Sequence, residues 1–126
     1  MTMTRLPRGE WRSFCDRLSR ALVDARAEIE VASLALGDRV EARWLPIYGV
    51  TYDPRADTVE IVLEGVDHTI ARPRDLYAEH TRRGLVALEI VEEDETRQSV
   101  RLREPLPLPA ADSASAYGRG QSTEAD

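Results

Sequence analysis

The sequence predicts an α+β protein in which one N-terminal amphipathic helix packs on a strongly bent antiparallel sheet of about six strands. Two observations support this prediction. An apolar stripe with helical spacing lies near the N-terminus, and stretches of alternating apolar residues separated by turn signals follow it. Short strands joined by tight turns, with a proline inside one of them, favour a roll or a partly open barrel. The 126 residues are enough for one core.

The helix is predicted over residues 10–24. Its apolar residues are spaced by three and four positions and are Trp11, Phe14, Cys15, Leu18 and Leu22. Cys15, the only cysteine, excludes an intramolecular disulfide. Because it lies on the apolar stripe, we interpret it as a buried structural thiol.

A strand is predicted over residues 28–36, although Ile29 and Leu36 would also continue the helical stripe. Gly37 and Asp38 then signal a turn into a strand over residues 40–45. Pro46 has no N–H to donate to a neighbouring strand, so we expect a corner or an edge there.

The central hairpin has the best-defined register. If Asp53 faces Thr58 across a loop that begins with Pro54, three apolar pairs form on one face. These pairs are Tyr52 with Val59, Val50 with Ile61, and Tyr48 with Leu63.

Residues 66–71 read as a further strand, and residues 76–83 remain open between two helical turns capped by Gly84 and an ordered loop. A terminal hairpin with a loop over residues 93–97 completes the sheet. Its predicted pairs are Ile90 with Val100, Leu88 with Leu102, and Glu89 with Arg101. The single domain is expected to span residues 1–109, followed by a disordered tail over residues 110–126.

Composition excludes several classes of function. The 17 basic residues are all arginine, and 23 acidic residues give a net charge of −6, which works against nucleic acid and anionic membranes. The absence of lysine excludes Schiff-base and P-loop chemistry. We find no secretory segment and no long apolar run, so a soluble cytoplasmic protein is expected.

Seven blocks of the sequence together resemble a known group of proteins. In chain order they are Pro7 and Arg8 with Trp11, Phe14 and Ser19; residues 28–33 with 36–38; residues 44–46 with 49–54; residues 65–68; residues 72–74; residues 88–90; and residues 101–105. This pattern resembles a family of small bacterial proteins known only as a domain of unknown function. The resemblance supports the strand over residues 28–36 and implies no activity. The tail and the acidic loop at 92–95, which has no Asp-Gly turn, depart from it.

The candidate binding residues surround the proline-containing bend at residues 72–75, which follows the predicted strand 66–71. They are His68, Arg72 and Arg74, because guanidinium groups bind phosphate or carboxylate through two hydrogen bonds. The alternative is that neighbouring carboxylates neutralise the arginines. His68 and His80 could also bind a metal, but Asp67 and His68 are adjacent on a strand and point to opposite faces. We therefore predict neither a metal site nor a cofactor.

Without a catalytic motif, the sequence favours a non-enzymatic interaction module that binds an unknown protein partner. The alternative function is a small-ligand or anion-binding protein that uses the arginine and histidine bend around residues 68–83. A homodimer through an exposed edge strand is also compatible with the short strands, although no particular residue supports it.

Overall fold

The computed structural model describes residues 1–108, so the predicted tail at 110–126 lies outside the described residues. A 3₁₀ turn at Arg8–Glu10 leads into one α-helix, α1 (Trp11–Ala21). The strands are β1 (Thr2–Arg5), β2 (Arg26–Ser33), β3 (Gly37–Asp53), β4 (Thr58–Leu63), β5 (Val66–Ala71), β6 (Pro73–Thr81), β7 (Gly84–Glu92) and β8 (Arg97–Leu106). The protein is therefore α+β, as predicted, and mostly antiparallel sheet.

All eight strands form one antiparallel sheet in the order β1-β6-β7-β8-β2-β3-β4-β5. β5 lies at one edge, yet Arg72 alone separates its last residue from β6, near the opposite edge. Such a short connection requires the sheet to curl until its two ends approach each other. Arg72 has a φ of 50°, and its amide donates to the Asp57 carbonyl at 2.9 Å, which fixes this link.

The helix packs its apolar stripe into the core of the curled sheet, mainly against β3. Trp11, Phe14, Cys15 and Leu18 are buried, and burial raises the pKa of the Cys15 thiol to about 12, with a smaller contribution from Asp16. The buried structural thiol is thus confirmed. The predicted helix end at residue 24 is wrong, because the chain turns extended at Leu22. No helix among residues 1–108 is long and apolar enough to cross a membrane.

Two of the eight strands were not predicted. β1 is exposed along its whole length and carries no alternating pattern. β6 includes residues 76–81 of the segment 76–83, where two helical turns or a loop were expected, so the expectation of helix or loop there is wrong. Leu76 and Ala78 point into the core while Tyr77 and Glu79 point outward, and β1 and β7 pair with this strand on both sides. Pairing on both sides decides the conformation.

The central hairpin has most of its predicted register. Asp53 faces Thr58, Tyr52 faces Val59 and Val50 faces Ile61. The third pair is wrong: a bulge between Ile47 and Gly49 places Ile47 opposite Leu63 and leaves Tyr48 56% exposed. β3 continues through Pro46 as one strand, and its pairing with β2 ends at Pro46, so the edge expected at this proline is present.

The turn between β2 and β3 begins earlier in the sequence than predicted. β2 ends at Ser33, and residues 34–36 form the turn, with Gly37 at a φ of 75° opening β3. The predicted strand to residue 36 is therefore wrong. The turn contains two leucines, and it leaves Leu34 93% and Leu36 67% exposed.

The terminal hairpin is shifted by two residues from the predicted register. Leu88 faces Val100, Ile90 faces Gln98 and Ala87 faces Arg101. The reason is a tighter loop, in which the Glu92 amide donates to the Thr96 carbonyl and Glu95 takes a φ of 73° without a glycine. Gln98 lies on the same face as Val100 and Leu102, and the observed register places it opposite Ile90 in the row of inward-facing residues.

Candidate functional site

The three residues predicted from the sequence do not converge. His68 is half-buried on β5 and faces inward, where its ring forms a hydrogen bond with the side-chain amide oxygen of Gln98. Arg72 and Arg74 lie at the β5–β6 link and point toward the loop between β7 and β8. Binding of a ligand by all three together therefore stays a prediction.

The two arginines are paired with acidic residues. Arg72 lies 3.7 Å from Glu93, and Arg74 contacts both Glu95 and Asp75. The hydrogen bond to Glu95 raises the pKa of Arg74, and Arg74 in turn lowers the pKa of the Glu95 carboxyl. The positive charges of the two arginines are therefore neutralised by nearby carboxylates. Two of these carboxylates, Glu93 and Glu95, come from the β7–β8 loop, and only Asp75 is a neighbour in the sequence.

A partly buried row of three polar side chains, called here the polar chain, links three strands of the curled sheet. Gln98 is 7% exposed and is the only polar residue in the buried part of residues 1–108. Its amide oxygen contacts the Nε2 atom of His68, and its amide nitrogen donates to the Glu92 carboxylate at 2.6 Å. The chain therefore runs from β5 through β8 to β7.

The orientation of Gln98 determines what His68 does. An amide oxygen only accepts hydrogen bonds, so Nε2 of His68 must carry the proton in this arrangement. In neutral His68 the Nδ1 atom is then left as an acceptor. These three polar side chains hold His68 in one tautomer, but none of them is a nucleophile. Residues 1–108 also contain no group of three or more side chains that could bind a metal ion together.

A groove of about 530 Å³ lies beside this polar chain, between the turns of two hairpins. We call it the tip groove. Val31, Leu34 and Leu36 of the β2–β3 hairpin line one side, and Glu92 and Asp94 of the β7–β8 hairpin line the other. Gln98 also belongs to its lining, so the groove reaches the polar chain.

The tip groove is acidic. Among residues 1–108, neither Glu92 nor Asp94 forms an ion pair. Their hydrogen-bond donors are neutral, namely the Gln98 amide and the backbone of Thr96. The Thr96 amide lowers the pKa of the Asp94 carboxyl, so this group is ionised at neutral pH. Arg39, the basic residue of the lining, is paired with Glu41 at 3.1 Å.

A second cluster, centred on Arg8, has a structural role. Its guanidinium donates to the Tyr52 hydroxyl, the Asp57 carboxylate and the Pro73 carbonyl at 2.8 to 3.0 Å. It also stacks over Trp11, with 4.2 Å from Cζ to the ring centroid. These contacts join the N-terminus to the β3–β4 turn and to the β5–β6 link, which helps to hold the sheet in its curled form.

Two smaller cavities of about 400 and 330 Å³ flank Ala25 and Arg26 at the other end of β2. Arg26 already donates to the Trp44 carbonyl at 3.0 Å. Of the two tyrosines predicted on the apolar face of the central hairpin, Tyr52 is buried and Tyr48 is exposed; the nearby Trp44 is half-buried.

Sequence reasoning missed the leucines of the turn and Gln98. Leu34 and Leu36 were assigned to the end of a strand, where they would share a face with Glu28 and Glu30 and not with the inward-facing Ile29 and Val31. Gln98 did leave a signal, since it begins the alternating row that Val100 and Leu102 continue. A polar residue at an inward position of such a row indicates a buried hydrogen-bonded group.

Comparison with known proteins identifies the family. The family described as one of unknown function, DUF5335, matches residues 2–111. An uncharacterized protein from Aquifex aeolicus (strain VF5) is 33% identical over 110 residues, which cover 86% of this chain and 99% of that protein. No solved structure matches. The resemblance noted in the sequence is therefore confirmed, and the chain belongs to the family of unknown function DUF5335.

Proposed function

We propose that the protein is a non-enzymatic interaction module that binds a protein partner through the turn of the β2–β3 hairpin. The observation that supports this proposal is the exposure of Leu34 and Leu36 at residues 34–36. Turns usually carry polar residues or glycine, and two leucines there contribute nothing to the core. Covering each leucine with a partner would stabilise a complex by about 2 kcal/mol.

The surroundings of the turn support the same function. Ser33 accepts a hydrogen bond from the Leu36 amide at 2.9 Å, which holds the turn in one conformation. Binding through a preorganised turn loses little conformational entropy. The adjoining tip groove gives a partner a concave surface beside the two leucines.

The test compares partner capture by the native protein with capture by a Leu34→Ser, Leu36→Ser double variant. The matched control is Val23→Ser, since Val23 is 74% exposed and lies outside the hairpin turn. A captured protein is then purified and its affinity for all three forms measured. We expect the double variant to lose binding at least tenfold, with unchanged thermal stability, and Val23→Ser to bind like the native protein.

The alternative function predicts a different result. If the protein binds small anions through His68, Arg72 and Arg74, phosphate-type ligands should raise its melting temperature. An Arg72→Ala, Arg74→Ala double variant should then lose that rise. A saturable phosphate effect that this variant abolishes, together with partner binding that ignores the leucines, would replace our proposal with the anion-binding function.

A further inference from the structure

We propose that the tip groove binds a protein segment in which a basic residue is flanked by apolar side chains. This inference deepens the proposed function and rests on it. It names the chemistry of the partner from two features that face one groove, an apolar wall and an acidic wall.

The apolar wall accounts for the flanking side chains. Leu34 and Leu36 are exposed, whereas Val31 is only 4% exposed and closes the groove toward the core. A side chain that enters the groove beside Val31 would contact apolar atoms only on the wall formed by the β2–β3 hairpin. The opposite wall needs a different chemistry.

The acidic wall accounts for the basic residue. Glu92 and Asp94 lack ion-pair partners among residues 1–108, while their neighbours Glu93 and Glu95 are paired with Arg72 and Arg74. Glu92 and Asp94 are also the two carboxylate residues of the loop that line the groove. An arginine or lysine side chain would donate hydrogen bonds to the two carboxyl groups and complement the acidic character of this wall.

Charge also argues against other occupants. A two-fold contact between tip grooves would bring Glu92 and Asp94 close to the same residues of a second copy, and like charges repel across an interface. Nucleic acid and other polyanions would be repelled for the same reason. A basic and apolar segment is the occupant that both walls favour.

The experiment selects random peptides displayed on phage against the full chain, immobilised through a C-terminal tag. Selected peptides are synthesised, and their affinities are measured for the native protein, for Leu34→Ser, Leu36→Ser, and for Glu92→Gln and Asp94→Asn. Glu64→Gln is the matched control, because Glu64 is exposed at the β4–β5 turn and lies outside the groove.

We expect the selected peptides to share an arginine or lysine between apolar residues. Neutralising either groove carboxylate should weaken peptide binding about fivefold, a change within the range of solvent-accessible ion pairs. Added salt should also weaken the binding of these peptides to the native protein. Glu64→Gln should leave the affinity unchanged. Circular dichroism and thermal unfolding confirm that each variant is folded.

The outcomes separate this inference from the function on which it rests. Peptides that need the leucines but lack a basic residue, and that ignore both carboxylates, would overturn the inference and leave the interaction module standing. Failure to select any peptide that depends on the leucines would overturn both. A native mass in solution that is dimeric, and monomeric in Leu34→Ser, Leu36→Ser, would replace the basic segment with a second copy.

Discussion

The Ser19 hydroxyl of α1 forms hydrogen bonds with both backbone groups of Val50 in β3, since it accepts from the amide at 2.8 Å and donates to the carbonyl at 2.7 Å. β2 pairs with β3 only between Gly37 and Pro46. Beyond Pro46 that edge of β3 faces the helix instead of a strand. One serine therefore replaces a strand neighbour, and α1 closes a gap in the sheet.

Replacing Ser19 with alanine should destabilise the fold by about 2 kcal/mol, because the amide and carbonyl of the buried Val50 would lose their partner. Urea unfolding measures this difference in the free energy of unfolding. Ser13→Ala is the matched control, since the Ser13 hydroxyl, at the N-terminal end of α1, donates to the backbone carbonyl of the exposed Glu10. Equal effects of the two variants would contradict the role given to Ser19.

Gly84 permits a close approach of two strands at the β6–β7 turn. Its φ is 133°, and a Cβ atom there would lie 2.5 Å from the backbone of Leu106 in β8. Gly84→Ala should therefore cost more than about 2 kcal/mol of stability from backbone strain and overpacking. Thermal and urea unfolding test this. Gly9→Ala, with nothing within 4 Å of the added methyl group, should have a much smaller effect.

The pH dependence of stability should report the pairing of β1 with β6. Arg5 donates to Asp75 at 2.8 Å, and this contact, followed by that of Arg74, lowers the pKa of the Asp75 carboxyl. Because the folded pKa lies below the unfolded value of about 4, the stabilisation is present above pH 4 and is lost as the pH falls further. The stability difference between native protein and Arg5→Gln should therefore shrink on acidification.

Urea unfolding at a series of pH values measures that difference. The control is Arg103→Gln, because Arg103 is exposed and forms no ion pair within residues 1–108. Its difference from the native protein should not follow the same pH course. An Arg5→Gln difference that grows below pH 4 would contradict the sign of the linkage.

Turn residues and alternating apolar residues predicted the β3–β4 hairpin, but they did not predict β6. The β3–β4 register followed from the Asp53 turn, whose carboxylate accepts the Arg55 amide at 2.9 Å, together with alternating apolar pairs. β6 was missed because Leu76 and Ala78 make a weak pattern on their own. Strands on both sides of β6 supply its hydrogen bonds, and these long-range partners are invisible in a single window of sequence.

The candidate site shows the same limit more strongly. His68, Arg72 and Arg74 were grouped because they are close in the sequence, but the sheet turns His68 inward and the arginines toward another hairpin. The tip groove combines Leu34 with Asp94, which lie 60 positions apart in the chain. Only the pairing of β2 with β8 brings the two turns together, and that pairing has no local signal.

The polar chain through Gln98 should behave as one energetic unit with His68. Each single change, His68→Ala or Gln98→Ala, removes the same hydrogen bond, so the double variant should lose less stability than the two losses added together. We expect a coupling of about 1 kcal/mol from urea unfolding of the four proteins. The matched control pairs Gln98→Ala with His80→Ala, because the side chain of His80 in β6 contacts Thr4 of β1 and not Gln98. The effects of these two changes on the free energy of unfolding should be additive. Coupling in the control as large as in the His68 cycle, or additivity in both, would show that the hydrogen bond between β5 and β8 does not hold these strands together.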